Sequence, residues 1–247
     1  MVNDGAKAVH EKAPPGEPPF ARQLAAELTG TFLLTLIAAG TTVIATRTPG
    51  SLSVGARSVA PAMIIAASIY ALGDISGGHF NPVVTTSFAL RGDFRWAKVI
   101  PYWTAQLAGA LAAATLLRIW FGTIADVGSN HLEVAPGKGV AIEATLTGVL
   151  VTVIINVANK HSLIGPDAAL PVAATIASCH LLGLTLTGAS MNPARSLGPA
   201  LVAQNLDHIW VYLVGPAIGA IAAIALSYVL RPHANEGEAI AAHGESR

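Results

Sequence analysis

Charged side chains make up only 11% of the 247 residues, and the fourteen basic and fourteen acidic ones cancel. A soluble domain usually carries about a quarter charged residues, so the polar cover that water demands is missing. Without net positive charge there is no basic field to hold a nucleic acid, and that partner class is excluded. The single cysteine, Cys179, excludes an internal disulfide framework and any cysteine-based metal cluster. Aromatics reach only 6%. No nucleophile–base arrangement and no metal-ligand pair stands at helical spacing, so neither an enzyme nor a cofactor is expected. What is plentiful is apolar or small: 53% hydrophobic residues, 24 Gly and 15 Pro, with a mean hydropathy of +0.57. Small residues let membrane helices approach closely. The composition is that of an all-α membrane protein.

A membrane helix needs about 20 mostly apolar residues to cross a hydrocarbon core of about 30 Å. Six stretches qualify: about 24–46, 55–73, 99–121, 139–158, 168–187 and 209–230. Two more, about 80–90 and 193–203, are too short to cross. Eleven helical residues reach about 16 Å, half a bilayer. Each short stretch follows Gly-containing chain, Ile75-Ser76-Gly77-Gly78-His79 and Thr187-Gly188-Ala189-Ser190. Irregular backbone at membrane depth is tolerated only where protein buries it or it lines a water-filled cavity. These segments point to a pore or binding site.

Polar, proline-rich residues 1–21 and the Glu-, Gly-, Ala- and His-containing residues 232–247 are expected to be mobile cytoplasmic tails around a domain at 22–231. No apolar run near Met1 suggests a cleaved signal. Six crossings put both termini on one side, and basic residues favour the cytoplasm. Termini inside leaves nine basic residues there (Lys7, Lys12, Arg22, Arg91, Arg95, Lys98, Lys160, Arg231, Arg247) against four outside (Arg47, Arg57, Arg118, Lys138). Both termini are therefore expected in the cytoplasm, with the chain in the cell (inner) membrane.

The chain also repeats itself, about 22–121 against about 139–231. Glu27-Leu28-Thr29-Gly30 echoes Glu143 to Gly148, and Gly77-Gly78-His79-Phe80-Asn81-Pro82 echoes Gly188-Ala189-Ser190-Met191-Asn192-Pro193. Each half holds three crossings and one short helix, and an odd number of crossings inverts the second copy. Inverted repeats with broken helices meeting near the midplane are a transport architecture. Proline suits the first helical turn and asparagine the N-cap before it. Two such N-termini, each carrying about half a positive charge, would face one another across a narrow path. They would repel cations, while both Asn amides could donate to a neutral molecule.

The paired motifs, Ile75 to Thr85 and Met191-Asn192-Pro193-Ala194-Arg195-Ser196, resemble those of the aquaporin, or major intrinsic protein, family. The two glutamates and the order of spans agree, over about 22–231. The resemblance implies a right-handed bundle of six helices around two re-entrant half-helices, one pore per subunit and a homotetramer in the lipid bilayer. It departs at Val83, which follows Asn81 and Pro82 where alanine is usual, and which is expected to shift or narrow the central seam. Asn192, Pro193 and Ala194 keep the usual form. The implied selectivity filter is Arg195 with His180, twelve residues before Asn192; Ala189; and Pro61, twenty before Asn81, with Met63 nearby. Water-selective members usually carry an aromatic in place of Pro61. The backbone of Gly77, Gly78, His79, Gly188 and Ser190 is expected to line the path.

Ionisable residues inside spans are functional candidates. Glu27 and Glu143 could carry protons, but their symmetric placement favours structural carboxylates that hold the re-entrant segments. Ser196, Ala200 and His180 resemble the bacterial water-channel branch; Leu213 resembles glycerol facilitators, Pro61 lacks the aromatic of water channels, and Tyr212 is aromatic as in water channels. The expected function is a passive channel for water, with a facilitator of glycerol or another small neutral solute as the alternative. A proton-coupled secondary transporter is the different class to be tested.

Overall fold

A computed structural model describes residues 17–158, 166–230 and 242–244. Most of both tails, and Lys7, Lys12, Lys160, Arg231 and Arg247, lie outside the described residues. The described chain forms α1 (Phe20–Arg47), α2 (Val54–Ser76), α3 (Pro82–Arg91), α4 (Trp96–Phe121), α5 (Pro136–Ala158), α6 (Pro166–Gly183), α7 (Pro193–Ala203) and α8 (Val211–Leu230). An unforeseen turn before α5 places Ala125, Asp126 and Val127 at positive φ. Five helices (α1, α2, α4, α5, α8) are long and apolar enough to cross a membrane by length and composition. The sixth expected span, about 168–187, stops at Gly183, where a loop toward Gly188 begins. Its 18 residues still reach about 27 Å.

Local chemistry sets the boundaries. Ser53 caps α2 by accepting from Ala56 N at 3.1 Å, and Gly77 ends it at φ 87°. Asn81 and Asn192 cap α3 and α7 with proline in the first turn, as expected. Helix contacts then pair off under one rule: α1 packs on α4 as α5 packs on α8, α1 on α2 as α5 on α6, and α7 on α4 as α3 on α8. Each pair maps onto its counterpart when the first four helices are exchanged for the last four, so the inverted repeat is visible in the packing. Glycines permit the closest crossings. A Cβ on Gly109 would strike the Leu28 carbonyl oxygen, and one on Gly219 would strike that of Ala144. Leu28 and Ala144 each follow a membrane glutamate.

The burial pattern is that of a chain solvated by lipid. Gln23, Glu27, Gln106 and Glu143 are fully buried, while Met63, Ile119, Leu170 and Val229 are exposed. Water would favour the opposite arrangement. The C-terminal tail departs from expectation at Ala242–Gly244, which are buried against the bundle. Near the N-terminus, Glu17 is held by ion pairs to Arg95 and Lys98.

Candidate functional site

Two loops, 77–81 and 188–192, meet inside the bundle, and one buried carboxylate braces each. Glu27 Oε1 accepts from Ser76 Oγ at 2.7 Å and His79 N at 2.9 Å, and its Oε2 accepts from Phe80 N at 2.7 Å. Glu143 repeats this: Oε1 accepts from Thr187 Oγ1 at 2.7 Å and Ser190 N at 2.9 Å, and Oε2 from Met191 N at 2.8 Å. The same hydroxyls accept from Gly78 N and Ala189 N. Gln106 adds a bond to Glu27. Loops bent through positive φ at Phe80 and Met191 expose backbone donors that helices would satisfy internally, and the carboxylates take them up.

Two tyrosines complete the brace. Tyr102 donates to the Ser76 carbonyl at 3.0 Å and Tyr212 to that of Thr187 at 2.9 Å. Tyr102 was not singled out from sequence. The signal was available, because the pair stands 21 and 20 residues after Asn81 and Asn192.

At the centre the repeats interlock. Asn81 Nδ2 donates to the Met191 carbonyl at 2.8 Å, and Asn192 Nδ2 donates to that of Phe80 at 2.9 Å. Each Asn Oδ1 caps its own helix, accepting from Val83 N in one case and from Ala194 N and Arg195 N in the other. A side-chain amide has two N–H donors, so each asparagine keeps one after making its cross-loop bond. Pro82 and Pro193 open the half-helices beside them. Val83 lies with Pro82, Pro193 and Ala194 where the two half-helices meet. Its side chain packs with Val151, Ile155, Ala220 and Ile224 of α5 and α8, and it lines a lateral apolar cavity of about 410 Å³ together with Ala194, Trp103 and Leu213.

Arg195 is buried and donates through Nη1 to Asn130 Oδ1, while its Nε has no hydrogen-bond partner among the described residues. Asn130 Nδ2 donates to Ser196 Oγ at 2.9 Å. Asn130 is a second residue that sequence reasoning missed; it sits so close to Gly188 that a Cβ there would lie 2.9 Å from its Oδ1. His180 and Arg57 are electrostatic neighbours of Arg195. His180 Nδ1 lies 2.9 Å from the Ile176 carbonyl. That oxygen can only accept, so Nδ1 carries the hydrogen and Nε2 of the neutral ring is an acceptor. Ala189 is fully buried at φ 47°, and Pro61 is buried within α2. Met63 points outward at 64% exposure, which removes it as a substitute for the missing aromatic. Leu213 lines the lateral cavity. Outside Arg195 a polar cavity of about 210 Å³ is lined by Asn130, Glu133, Ser196, Ala200, Asp207 and Tyr212 among others.

The sequence profile described as "Major intrinsic protein" matches residues 16–228, nearly the whole described bundle. The chain belongs to the major intrinsic protein family. Members of this family are membrane channels and not enzymes. Among relatives, the chain is 38% identical over 205 residues to Aquaporin NIP1-1 of Zea mays, covering 83% of this chain and 73% of that protein. It is 36% identical over 222 residues to the lens fiber major intrinsic protein of Gallus gallus, covering 87% and 84%. In fold it is similar to the X-ray structure of the aquaglyceroporin from Plasmodium falciparum, with a TM-score of 0.72 at 22% identity over 87% of this chain and 98% of that one. The aquaporin fold expected from the paired motifs is therefore present. The bacterial water-channel branch finds no support among these plant and animal relatives.

Proposed function

We propose that this major intrinsic protein is a passive water channel, with Arg195, His180, Ala189 and Pro61 forming its filter. The path then runs between Asn81 and Asn192 and along the backbone of Gly77, Gly78 and His79 in one half and of Gly188 and Ser190 in the other. The observation that carries this reading is the donor–acceptor pairing beside the mouth: Arg195 has an unused buried N–H, and His180 presents Nε2 as an acceptor. Water gives and takes hydrogen bonds at once, so it matches both. The fixed guanidinium charge, together with two half-helix N-termini, opposes cations. Glu27 and Glu143 are structural, since their oxygens are occupied by loop donors.

A glycerol or other small-solute facilitator is the second reading. It is favoured by Pro61, which supplies no aromatic wall. We place both termini in the cytoplasm, on the asymmetry of basic residues, and the chain in the cell (inner) membrane as a homotetramer. Stopped-flow light scattering on proteoliposomes tests the choice. Fast shrinkage under an impermeant sugar, with a low activation energy and no fast re-swelling under glycerol, is expected. Fast glycerol re-swelling would transfer the assignment to the facilitator, and flux no greater than in empty liposomes would overturn both.

A further inference from the structure

The C-terminal segment is buried although it lies beyond the last helix. Ala242 is fully buried and His243 is 4% exposed, although α8 ends at Leu230. Eleven residues separate Leu230 from Ala242, a length that can span about 35–40 Å when extended. Ala242 joins the apolar cluster of Phe88, Phe94 and Tyr102. The His243 ring lies 4.8 Å from that of Phe94, which in turn stands edge-on to His79 at 4.9 Å. Gly244, at φ +83°, lies so near the end of α2 that a Cβ would come within 2.9 Å of the Asp74 carbonyl oxygen.

His79 shows what this segment covers. It belongs to the loop that the water-channel reading lays along the pore, and its ring Nδ1 lies 3.1 Å from Thr85 Oγ1. Its Nε2 is buried, with the Ala242 backbone as a polar neighbour of the ring. A ring nitrogen facing an open aqueous path would be wetted. Here the ring is only 4% exposed, and the Ala242 backbone and His243 ring are its electrostatic neighbours.

We infer that Ala242-His243-Gly244 is a plug: the segment seats in the pore mouth on the side of the chain termini, covers His79, and holds the channel closed. The inference rests on the pore path proposed above. The seat involves two small residues and one histidine, so little apolar surface is gained on closing. The contact is therefore suited to a reversible gate.

The test compares proteoliposomes holding equal amounts of the full chain, the chain ended after Leu230, and full-length Gly244→Val. Valine is strained at φ +83° and has no room beside Asp74 and Ile75, so it unseats the segment while keeping the tail. Osmotic water flux and glycerol flux are read on each. Both variants are expected to conduct severalfold faster than the full chain. A rise with Gly244→Val alone supports the plug even if truncation costs folding. Equal, fast flux in all three overturns the plug and leaves the channel reading intact. If folded protein of every form conducts no better than empty liposomes, the pore reading falls and the plug with it.

Discussion

Asn81 and Asn192 each cap one half-helix while clamping the loop of the other. Asn81 donates to the Met191 carbonyl at 2.8 Å and Asn192 to that of Phe80 at 2.9 Å. The bonds join positions 110 and 112 residues apart, so they hold the two repeats together at their centre. An asparagine here is first a structural cross-tie, and only its remaining N–H is available to a passing molecule.

Replacing Asn192 with alanine is therefore expected to cost stability as well as transport. It removes the cap on Ala194 N and Arg195 N, usually worth about 0.5–2 kcal/mol, and leaves the buried Phe80 carbonyl without its donor. A lowered melting temperature in detergent, alongside reduced flux, is the expected result. Reduced flux at an unchanged melting temperature would deny the cross-tie.

Glu143→Gln distinguishes a brace from a proton carrier. The amide presents donors to Ser190 N or Met191 N where the carboxylate presented acceptors, and a buried unsatisfied group costs about 1–3 kcal/mol. Thermal stability should fall, and solute uptake by the parent protein should show no coupling to a proton gradient. Proton-driven uptake that vanishes in the variant without loss of stability would restore the transporter class.

Asn130→Ala should disturb the filter without touching the central motifs. Its Oδ1 holds Arg195 and its Nδ2 holds Ser196. Freed of both, the guanidinium is expected to swing, raising glycerol flux relative to water. Arg195→Val should move the same ratio further and add a proton leak. An unaltered ratio in both variants would remove the pair from selectivity.

Val83→Ala restores the family's usual residue, and the packing of Val83 on α5 and α8 predicts an effect on stability rather than on flux. Losing methyl groups packed against Val151, Ile155 and Ile224 should cost about 1–2 kcal/mol. Water flux and the glycerol ratio should stay unchanged. A marked rise in flux would place Val83 in the path.

The close helix crossings give a simpler check. Gly219→Leu would drive a side chain into the Ala144 carbonyl, whereas a Cβ on Gly137 meets nothing within 4 Å. Gly219→Leu should abolish monodisperse protein and Gly137→Leu should not. Equal yields would mean that α5 and α8 can part without cost.

The helices, half-helices and paired motifs were legible because each leaves a length, a cap or a repeat in the sequence. The spans near 55–73 and 99–121 fall inside α2 and α4, and Asn-Pro marks both half-helix starts. Inside and outside were harder to read. In a lipid-facing helix both faces are apolar, so periodicity does not reveal which way Val83, Met63 or Leu213 points. Asn130 escaped notice because its role depends on contact with Arg195, 65 residues away. The seat of Ala242 and His243 was invisible for the same reason: two small residues and a histidine without a repeating pattern do not announce a partner across the molecule.

Glu27 and Glu143 each serve only their own half of the chain, whereas Asn81 and Asn192 also clasp the opposite half. The protein is thus organised as an isologous dimer whose two subunits happen to share one backbone. Each half arrives with its loop already shaped, and the handshake at the centre is reciprocal. A lesion at either asparagine removes one clasp and is felt by both partners, while a lesion at either glutamate leaves a misshapen hand that its intact counterpart has no means to correct.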